Sequence, residues 1–171
     1  MYYFFHGTSL DSFENILKEN NIFASYYLGK KQKKYIRMNP ESKYVFTNIY
    51  VNGLPLRKDE KAGFGRITFI IDPIVLKYVK CYFNDGWYGN VNKNSILMND
   101  KNIDYILEHL KKNYSYPYIL THEALFKKNI PMKFVIGVIC SKKDKNIVTY
   151  YLKKYGYTNL EIFNKFPSLI K

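Results

Sequence analysis

A lone carboxylate late in the chain is the side chain best suited to do chemistry. Glu123 lies in the run 118–126, nine residues with no other acid. An acid among apolar neighbours is unfavourable unless it faces a cleft or has polar partners. In a cleft it can stabilise positive charge that develops during a reaction, and it can accept a proton. The alternative is a glutamate on an edge strand that faces water, as its alternation with Thr121 and Leu125 permits.

A second group of candidates, His6-Gly7-Thr8, follows a short apolar segment near the start of the chain. A glycine at position 7 lets the backbone approach a ligand closely, and the His6 imidazole can donate a hydrogen bond to a hydroxyl group. Thr8 can cap the helix predicted after it and contact a ligand as well. The competing interpretation makes His6 a core residue that is hydrogen-bonded to the backbone.

Two loops carry further candidates. The basic segment 29–43 is either a solvated loop or a flap that touches phosphates. Trp87 and Tyr88, framed by glycines, suit stacking on a base, although a surface loop packed by its own aromatic rings fits equally well. Arg66 opens a predicted strand and faces either a substrate or solvent.

The elements that must position these residues follow from apolar spacing and turn residues. The strands are connected by loops or irregular excursions rather than by regular crossover helices, which favours an α+β fold over a doubly wound parallel sheet. No glycine-rich dinucleotide or P-loop motif occurs. We predict one domain over residues 1–171, with about six or seven strands in a mixed, largely antiparallel sheet and about three helices. The predicted strands are 2–5, 43–50, 66–71, 80–83, 118–126, 133–140 and an edge strand at 160–163; the predicted helices end near Glu19, cover 103–110 and run from Asp144 to Gly156, with a short helix at 74–79.

The charge balance points to a polyanionic partner. Lys and Arg total 27 against 14 Asp and Glu, a formal net charge of +13, and such a field favours nucleic acid through counterion release. The excess is nearly all lysine, which suits attraction to a phosphate backbone better than base reading. Genome composition is the alternative source, because AT-rich DNA encodes Lys, Asn, Ile and Tyr.

Compartment and cofactor class follow from the cysteines and the apolar runs. Cys81 and Cys140 lie in apolar segments and form neither a metal motif nor a disulfide framework, so we expect buried free thiols, a reducing environment and no metal. The start of the chain does not have the form of a signal peptide, and no apolar run is long enough to span a membrane. We therefore expect a cytoplasmic protein without membrane partners. The AT-rich composition suggests a viral or mobile-element origin, and the oligomeric state stays open.

As a set, three motifs resemble the ADP-ribosyltransferase superfamily, the group with poly(ADP-ribose) polymerases and RNA 2′-phosphotransferases. His6-Gly7-Thr8 is similar to the triplet that ends the first strand in that group, and Tyr44-Val45-Phe46-Thr47 resembles the second core strand. Thr121-His122-Glu123-Ala124-Leu125-Phe126, followed by a basic link and Ile130-Pro131, resembles the glutamate segment of DarT-like DNA ADP-ribosyltransferases.

The resemblance implies a split-sheet ADP-ribosyltransferase-like fold, with NAD as co-substrate. It implies an NAD-dependent transferase acting on a macromolecular acceptor. The net charge favours DNA or RNA as that acceptor, and the biological role as a toxin, defence factor or counter-defence factor stays open. One glutamate suffices because nicotinamide is already a cationic leaving group. Glu123 is then the catalytic carboxylate, Trp87, Tyr88 and Arg66 contact nucleic acid or another substrate, and the NAD ligands are His6, Gly7, Thr8, Arg37, Tyr44 and Thr47. Among these, Arg37 holds phosphate and Tyr44 stacks on nicotinamide, although the chain has 18 tyrosines to choose from.

Departures from the family pattern keep two alternatives open. DarT-like proteins typically start with a threonine-histidine sequence rather than His-Gly-Thr. The toxin pair of glutamates one residue apart is absent, since position 121 is Thr, which disfavours arginine as the acceptor. RNA 2′-phosphotransferases grip their substrate with several arginines, and this chain has three. The alternatives are an NAD-dependent RNA 2′-phosphotransferase and a non-catalytic basic nucleic-acid-binding protein.

Overall fold

A computed structural model of the protein describes residues 1–29, 41–51, 65–86, 88–113 and 122–164. In these ranges the chain forms ten strands and three α-helices. The strands are β1 (Tyr2–Thr8), β2 (Asn21–Phe23), β3 (Tyr44–Val51), β4 (Ile67–Ile71), β5 (Cys81–Asn84), β6 (Ile96–Leu97), β7 (Glu123–Lys127), β8 (Asn129–Pro131), β9 (Val135–Cys140) and β10 (Glu161–Phe163), and the helices are α1 (Leu10–Glu19), α2 (Ile103–Asn113) and α3 (Lys145–Lys154).

Eight of the strands form one sheet, in the order β10-β9-β4-β1-β3-β7-β5-β6. Neighbouring strands are antiparallel, except for β10, which runs parallel to β9. β2 and β8 pair with each other in a small separate sheet. The predicted α+β class with a mixed, mostly antiparallel sheet is confirmed.

The helices bury their apolar sides against one face of the large sheet. Phe13 of α1 stacks on Phe69 of β4 at 5.3 Å between ring centroids, and Phe4 of β1 meets Phe126 of β7 edge-on at 4.9 Å. Ile106, Val148 and other residues of α2 and α3 join the same core. Because strand side chains alternate between faces, the next residues along build a smaller apolar cluster on the opposite face, formed by Tyr3, Phe5, Tyr50, Ile70 and Ile139.

The large sheet divides between β1 and β3, and this division is called the fork below. Pairing of β1 with β3 covers Tyr2–Phe5 and Asn48–Val51, whereas pairing of β1 with β4 continues to Thr8. On the other side, Tyr44–Thr47 pairs with β7. From His6 onward, the described residues of β1 therefore follow β4, while the first half of β3 follows β7. The sheet is split, as the resemblance implies.

Local differences from the sequence predictions have simple causes. Ser9, and not Thr8, is the N-cap of α1, because its hydroxyl accepts a hydrogen bond from the Ser12 N–H. Asn20 ends the helix in the left-handed conformation with φ 55°. The strands β2, β6 and β8 went unpredicted, since two or three residues are too few to show a period.

Candidate active site beside the fork

Glu123 lies inside the sheet and not at its edge. It opens β7, which pairs with β3 on one side and β5 on the other, and it faces Asn84 of β5 directly. Its exposed fraction is 4 %. The alternative of an edge-strand glutamate facing water is therefore wrong, and the carboxylate depends on partners inside the protein.

Those partners come from the loop that follows β5. The Tyr88 N–H donates to Oε2 at 3.1 Å, and the Gly89 N–H reaches both carboxylate oxygens, at 3.1 Å to Oε2 and 3.3 Å to Oε1. Asn84 adds a side-chain N–H at 3.3 Å from Oε2. Two successive backbone N–H groups that converge on one anion form a concave binding site of the kind called a nest. The donors, Asn84 with the backbone of Tyr88 and Gly89, are called the carboxylate clasp below.

A second network holds Asn84 itself. Its Nδ2 also donates to the Asn90 carbonyl at 3.0 Å, and its Oδ1 accepts from the Ser95 hydroxyl at 2.5 Å. The Ser95 oxygen in turn accepts from the Asn92 N–H at 2.7 Å. Residues 90–95 are thereby tied to the carboxylate through one buried amide.

His6 joins the two arms of the fork. Its Nδ1 lies 2.8 Å from the Phe46 carbonyl of β3, and because a carbonyl only accepts, Nδ1 carries the proton and donates. Burial lowers the pKa of His6, and the hydrogen bond to Phe46 opposes that shift. The neutral ring is therefore favoured, with Nε2 as an acceptor. This contact shows that His6 is hydrogen-bonded to the backbone, as the competing interpretation expects. The bond to Phe46 uses Nδ1 and does not involve Nε2.

Gly65 fixes the backbone of the neighbouring Gly7 and Thr8. Its φ is +82°, and a Cβ added there would lie 2.8 Å from the Thr8 nitrogen and 2.9 Å from the Thr8 oxygen. A glycine is required for so close an approach. Thr8 is buried, and Gly65, which lies just before β4, packs directly against the end of β1.

The strand register places His6 and Glu123 on adjoining rows of the sheet. Phe5 faces Asn48 on β3, and the next residue of β3, Thr47, faces Ala124 on β7. His6 follows Phe5 and Glu123 precedes Ala124, so the two residues lie on adjoining rows, on opposite sides of β3.

The other predicted NAD ligands on β3 have partners within the protein. The Thr47 hydroxyl is buried and donates to the Ala124 carbonyl at 2.8 Å, which ties β3 to β7. Tyr44 is half-buried and meets Tyr82 edge-on at 6.0 Å. Burial raises the pKa of Tyr44, with smaller contributions from Tyr82 and Tyr27. Arg37 lies outside the described residues.

The predicted substrate contacts are spread apart. Arg66 forms a bidentate ion pair with Asp144, with Nε 3.1 Å from both carboxylate oxygens, at the start of α3. The side chain of Tyr88 is 59 % exposed, while its backbone serves the clasp. Trp87 lies outside the described residues. Of this group, the structure brings Tyr88 to Glu123.

Sequence reasoning missed the residues that hold Glu123. Asn84, Ser95 and Gly89 carry no catalytic motif, although the glycine-framed loop itself stood out for its aromatic side chains. His122, which precedes Glu123, is buried, and its Nε2 accepts from the Ile49 N–H at 3.0 Å. That contact fixes His122 as a structural partner of β3.

Within the described ranges, no group of three or more His, Cys, Asp or Glu side chains is arranged to hold a metal ion. None of the helices found there has the length and apolar character needed to cross a membrane.

Comparison with known proteins assigns the fold. Thermus sp. 2.9 DarT in complex with carba-NAD+ matches with a TM-score of 0.66 and 15 % identity over 95 % of each chain. The same protein in complex with NAD+ gives 0.63 and 15 % over 95 % of each chain. Its complex with ADP-ribosylated ssDNA gives 0.66 and 12 %, covering 95 % of this chain and 93 % of that one. The protein thus has a DarT-like ADP-ribosyltransferase fold, which confirms the fold that the resemblance implies.

At the level of sequence, residues 1–117 match a family described as a family of unknown function, DUF5846. The match spans more than half of the chain, and the protein belongs to that family. No curated protein matches it.

Proposed function

We propose that this protein is an NAD-dependent ADP-ribosyltransferase with a nucleic-acid acceptor. The observation that carries the proposal is the buried carboxylate of Glu123, held by hydrogen-bond donors beside the fork. The likeness of the fold to structures solved with NAD+ and carba-NAD+ supports NAD as the co-substrate.

In this proposal Glu123 acts on the ribose. Transfer breaks the bond between nicotinamide and the ribose carbon, nicotinamide leaves as a neutral molecule with the bonding electrons, and the acceptor forms the new bond and loses a proton. A fixed carboxylate stabilises the positive charge that develops on the ribose. It can also take the proton of the acceptor.

The arm of the fork formed by β1 supplies the remaining contacts. His6 Nε2 can accept from a ribose hydroxyl while Nδ1 stays bonded to Phe46. Gly7 and Thr8 present backbone held in place by Gly65. Tyr44, on the other arm, offers a ring face, Arg37 a phosphate contact, and Thr47 the support of β3 on β7.

The basic end of β3 and β7 supports a nucleic-acid acceptor. Lys43, Lys127 and Lys128 are exposed, and Lys127 faces Tyr44 across the two strands. The Lys43 ammonium lies 5.2 Å from the ring centre of Tyr26, which is itself exposed. Lysines interleaved with exposed aromatic rings suit a single strand, which offers phosphates and unstacked bases. The DarT structure with ADP-ribosylated ssDNA belongs to the same fold.

The test measures nicotinamide release from NAD, with and without single-stranded oligonucleotides, and the mass of the oligonucleotide afterwards. Glu123→Gln should lower the rate at least about 100-fold, the usual loss when electrostatic stabilisation of a transition state is removed. Glu161→Gln, at an exposed glutamate of β10, is the matched control and should keep the wild-type rate.

The outcomes separate the alternatives. Phosphate removal from 2′-phosphorylated RNA, without modification of ordinary oligonucleotides, would replace the proposal with a 2′-phosphotransferase. Salt-dependent oligonucleotide binding without NAD binding or turnover would make the protein a non-catalytic binder. A Glu123→Gln variant with the wild-type rate would refute the role of Glu123.

A further inference from the structure

We infer that Asn84 is a positioning residue for Glu123, and that the clasp anchors Oε2 so that Oε1 is the oxygen turned toward the reaction. The inference rests on the proposed function and extends it to residues that the family motifs do not include. Its physical basis is the direction and the unequal distribution of the hydrogen bonds around the carboxylate.

The orientation of the Asn84 amide is determined by its neighbours. The Asn92 N–H donates to the Ser95 oxygen, so the Ser95 hydroxyl proton is free to point at Asn84 Oδ1. The Asn90 carbonyl can only accept, so Nδ2 must face it. The second Nδ2 proton then points at Glu123 Oε2. The exposed fraction of Asn84 is 1 %, so little water reaches it that could replace these hydrogen-bond partners.

The backbone donors depend on two glycines. Gly89 has φ +66° and Gly86 has φ +143°, conformations that let the chain turn back on the carboxylate and aim successive N–H groups inward. A Cβ at Gly86 would lie 2.7 Å from the Tyr88 ring. The loop therefore contacts Glu123 through its main chain, while the Tyr88 side chain is exposed.

The two carboxylate oxygens are held unequally. Oε2 accepts three N–H groups at 3.1 to 3.3 Å, from Tyr88, Gly89 and Asn84. Oε1 has one contact among the described residues, a 3.3 Å hydrogen bond from Gly89. An oxygen with three donors is saturated, whereas Oε1 keeps lone-pair capacity for a ribose hydroxyl or an acceptor proton. Fixing one oxygen removes side-chain freedom before the substrate arrives.

The experiment compares Asn84→Ala, Asn84→Asp and Ser95→Ala with Asn94→Ala, an exposed asparagine of the same loop. Asn84→Ala should lower kcat for nicotinamide release about 10- to 100-fold, with KM for NAD changed less than about 3-fold, because positioning acts on the reacting geometry. Ser95→Ala should do the same more weakly, and Asn94→Ala should keep the wild-type values.

Asn84→Asp gives a readout that general loosening of the fold would not produce. A carboxylate at position 84 would share protons with Glu123, so the acidic limb of the pH–rate profile should move to higher pH. If Asn84→Ala does not fold, Asn84→Asp and Ser95→Ala decide the question. A folded Asn84→Ala variant with kcat within 2-fold of wild type, or an unmoved acidic limb in Asn84→Asp, would overturn the inference.

An NMR measurement separates this inference from the proposed function. The amide protons of Tyr88 and Gly89 should shift and exchange faster with solvent in Glu123→Gln and in Asn84→Ala, but not in Asn94→Ala. This holds whether or not the wild type releases nicotinamide. If the amide signals change but the wild type releases no nicotinamide, the transferase proposal is rejected and the role of the carboxylate clasp stands. If the amide signals do not change, the role of the carboxylate clasp is rejected even in an active enzyme.

Discussion

Replacing Gly65 with alanine tests how closely the chain before β4 holds the end of β1. Gly65 has φ +82°, and its new Cβ would lie 2.8 and 2.9 Å from backbone atoms of Thr8. Gly156, after α3, has nearly the same φ of +80° and nothing within 4 Å of a Cβ. The pair of variants therefore shares the conformational penalty and differs in the steric one.

The magnitudes follow from these two terms. An alanine forced to positive φ costs about 1–2 kcal/mol at either site. Gly65→Ala must in addition displace backbone atoms, which cannot swing away as a side chain would, and such overpacking costs about 1–3 kcal/mol. A central difference of about 2 kcal/mol between the variants corresponds to roughly 4–8 °C in Tm for a domain of this size.

Urea and thermal unfolding of both variants measure the difference directly. Nicotinamide release at a temperature where both are folded measures its effect on the proposed site, and Gly65→Ala should lose more activity because Gly7 and Thr8 must shift. Equal losses of stability in the two variants would refute the packing of Gly65 on Thr8. If the two variants differ in stability but have equal activities, the packing of Gly65 on Thr8 does not affect the proposed site.

Two further predictions concern pH. Because burial lowers the pKa of His6 below its ordinary 6.5, the unfolded state takes up a proton first, so stability should fall as pH drops below about 6.5, by at most about 1.4 kcal/mol per pH unit. His6→Gln keeps a donor for Phe46 and should lack this slope in melts between about pH 5 and 7.5; an unchanged slope would assign it to other groups. The hydrogen bond from Arg66 lowers the pKa of Asp144 below 3.8, so Asp144→Asn should be less stable than wild type in urea at pH 7. That gap should narrow as pH falls toward the lowered pKa of Asp144, and a gap that stays constant on acidification would contradict the ion pair as its source.

The elements with long apolar periods were predictable from the sequence. The helix ending near Glu19, the strand at 66–71 and the helix from Asp144 all stand within a few residues of their predicted bounds. The cap of α1 was misplaced by one residue, because Thr8 and Ser9 are both good caps and the choice depends on where β1 ends. The pairing of β2 with β8 joins segments more than 100 residues apart and leaves no local signal.

The charged residue of the candidate site could be predicted from the sequence, whereas the hydrogen-bond donors around it could not. A single acid in an apolar run predicted that Glu123 faces a cleft or has polar partners, because burial of an unpartnered carboxylate is too unfavourable, and the structure shows it buried with partners. Its partners could not be found in the same way, because two of them are backbone N–H groups, which every residue but proline has. The predicted role of Tyr88 rests on its ring, which is exposed, and the hydrogen bond from its main chain to Glu123 leaves no mark in the sequence.

The fork has a mechanical consequence. Each of its arms is braced on the outer side by a continuous ladder, β1 by β4 and the first half of β3 by β7. Among the described residues, the hydrogen bond from His6 to Phe46 connects the two arms of the fork. Releasing one such bond costs about 0.5–1.5 kcal/mol, far less than unzipping a strand. The His6–Phe46 hydrogen bond can therefore be broken at small cost while both outer ladders stay intact.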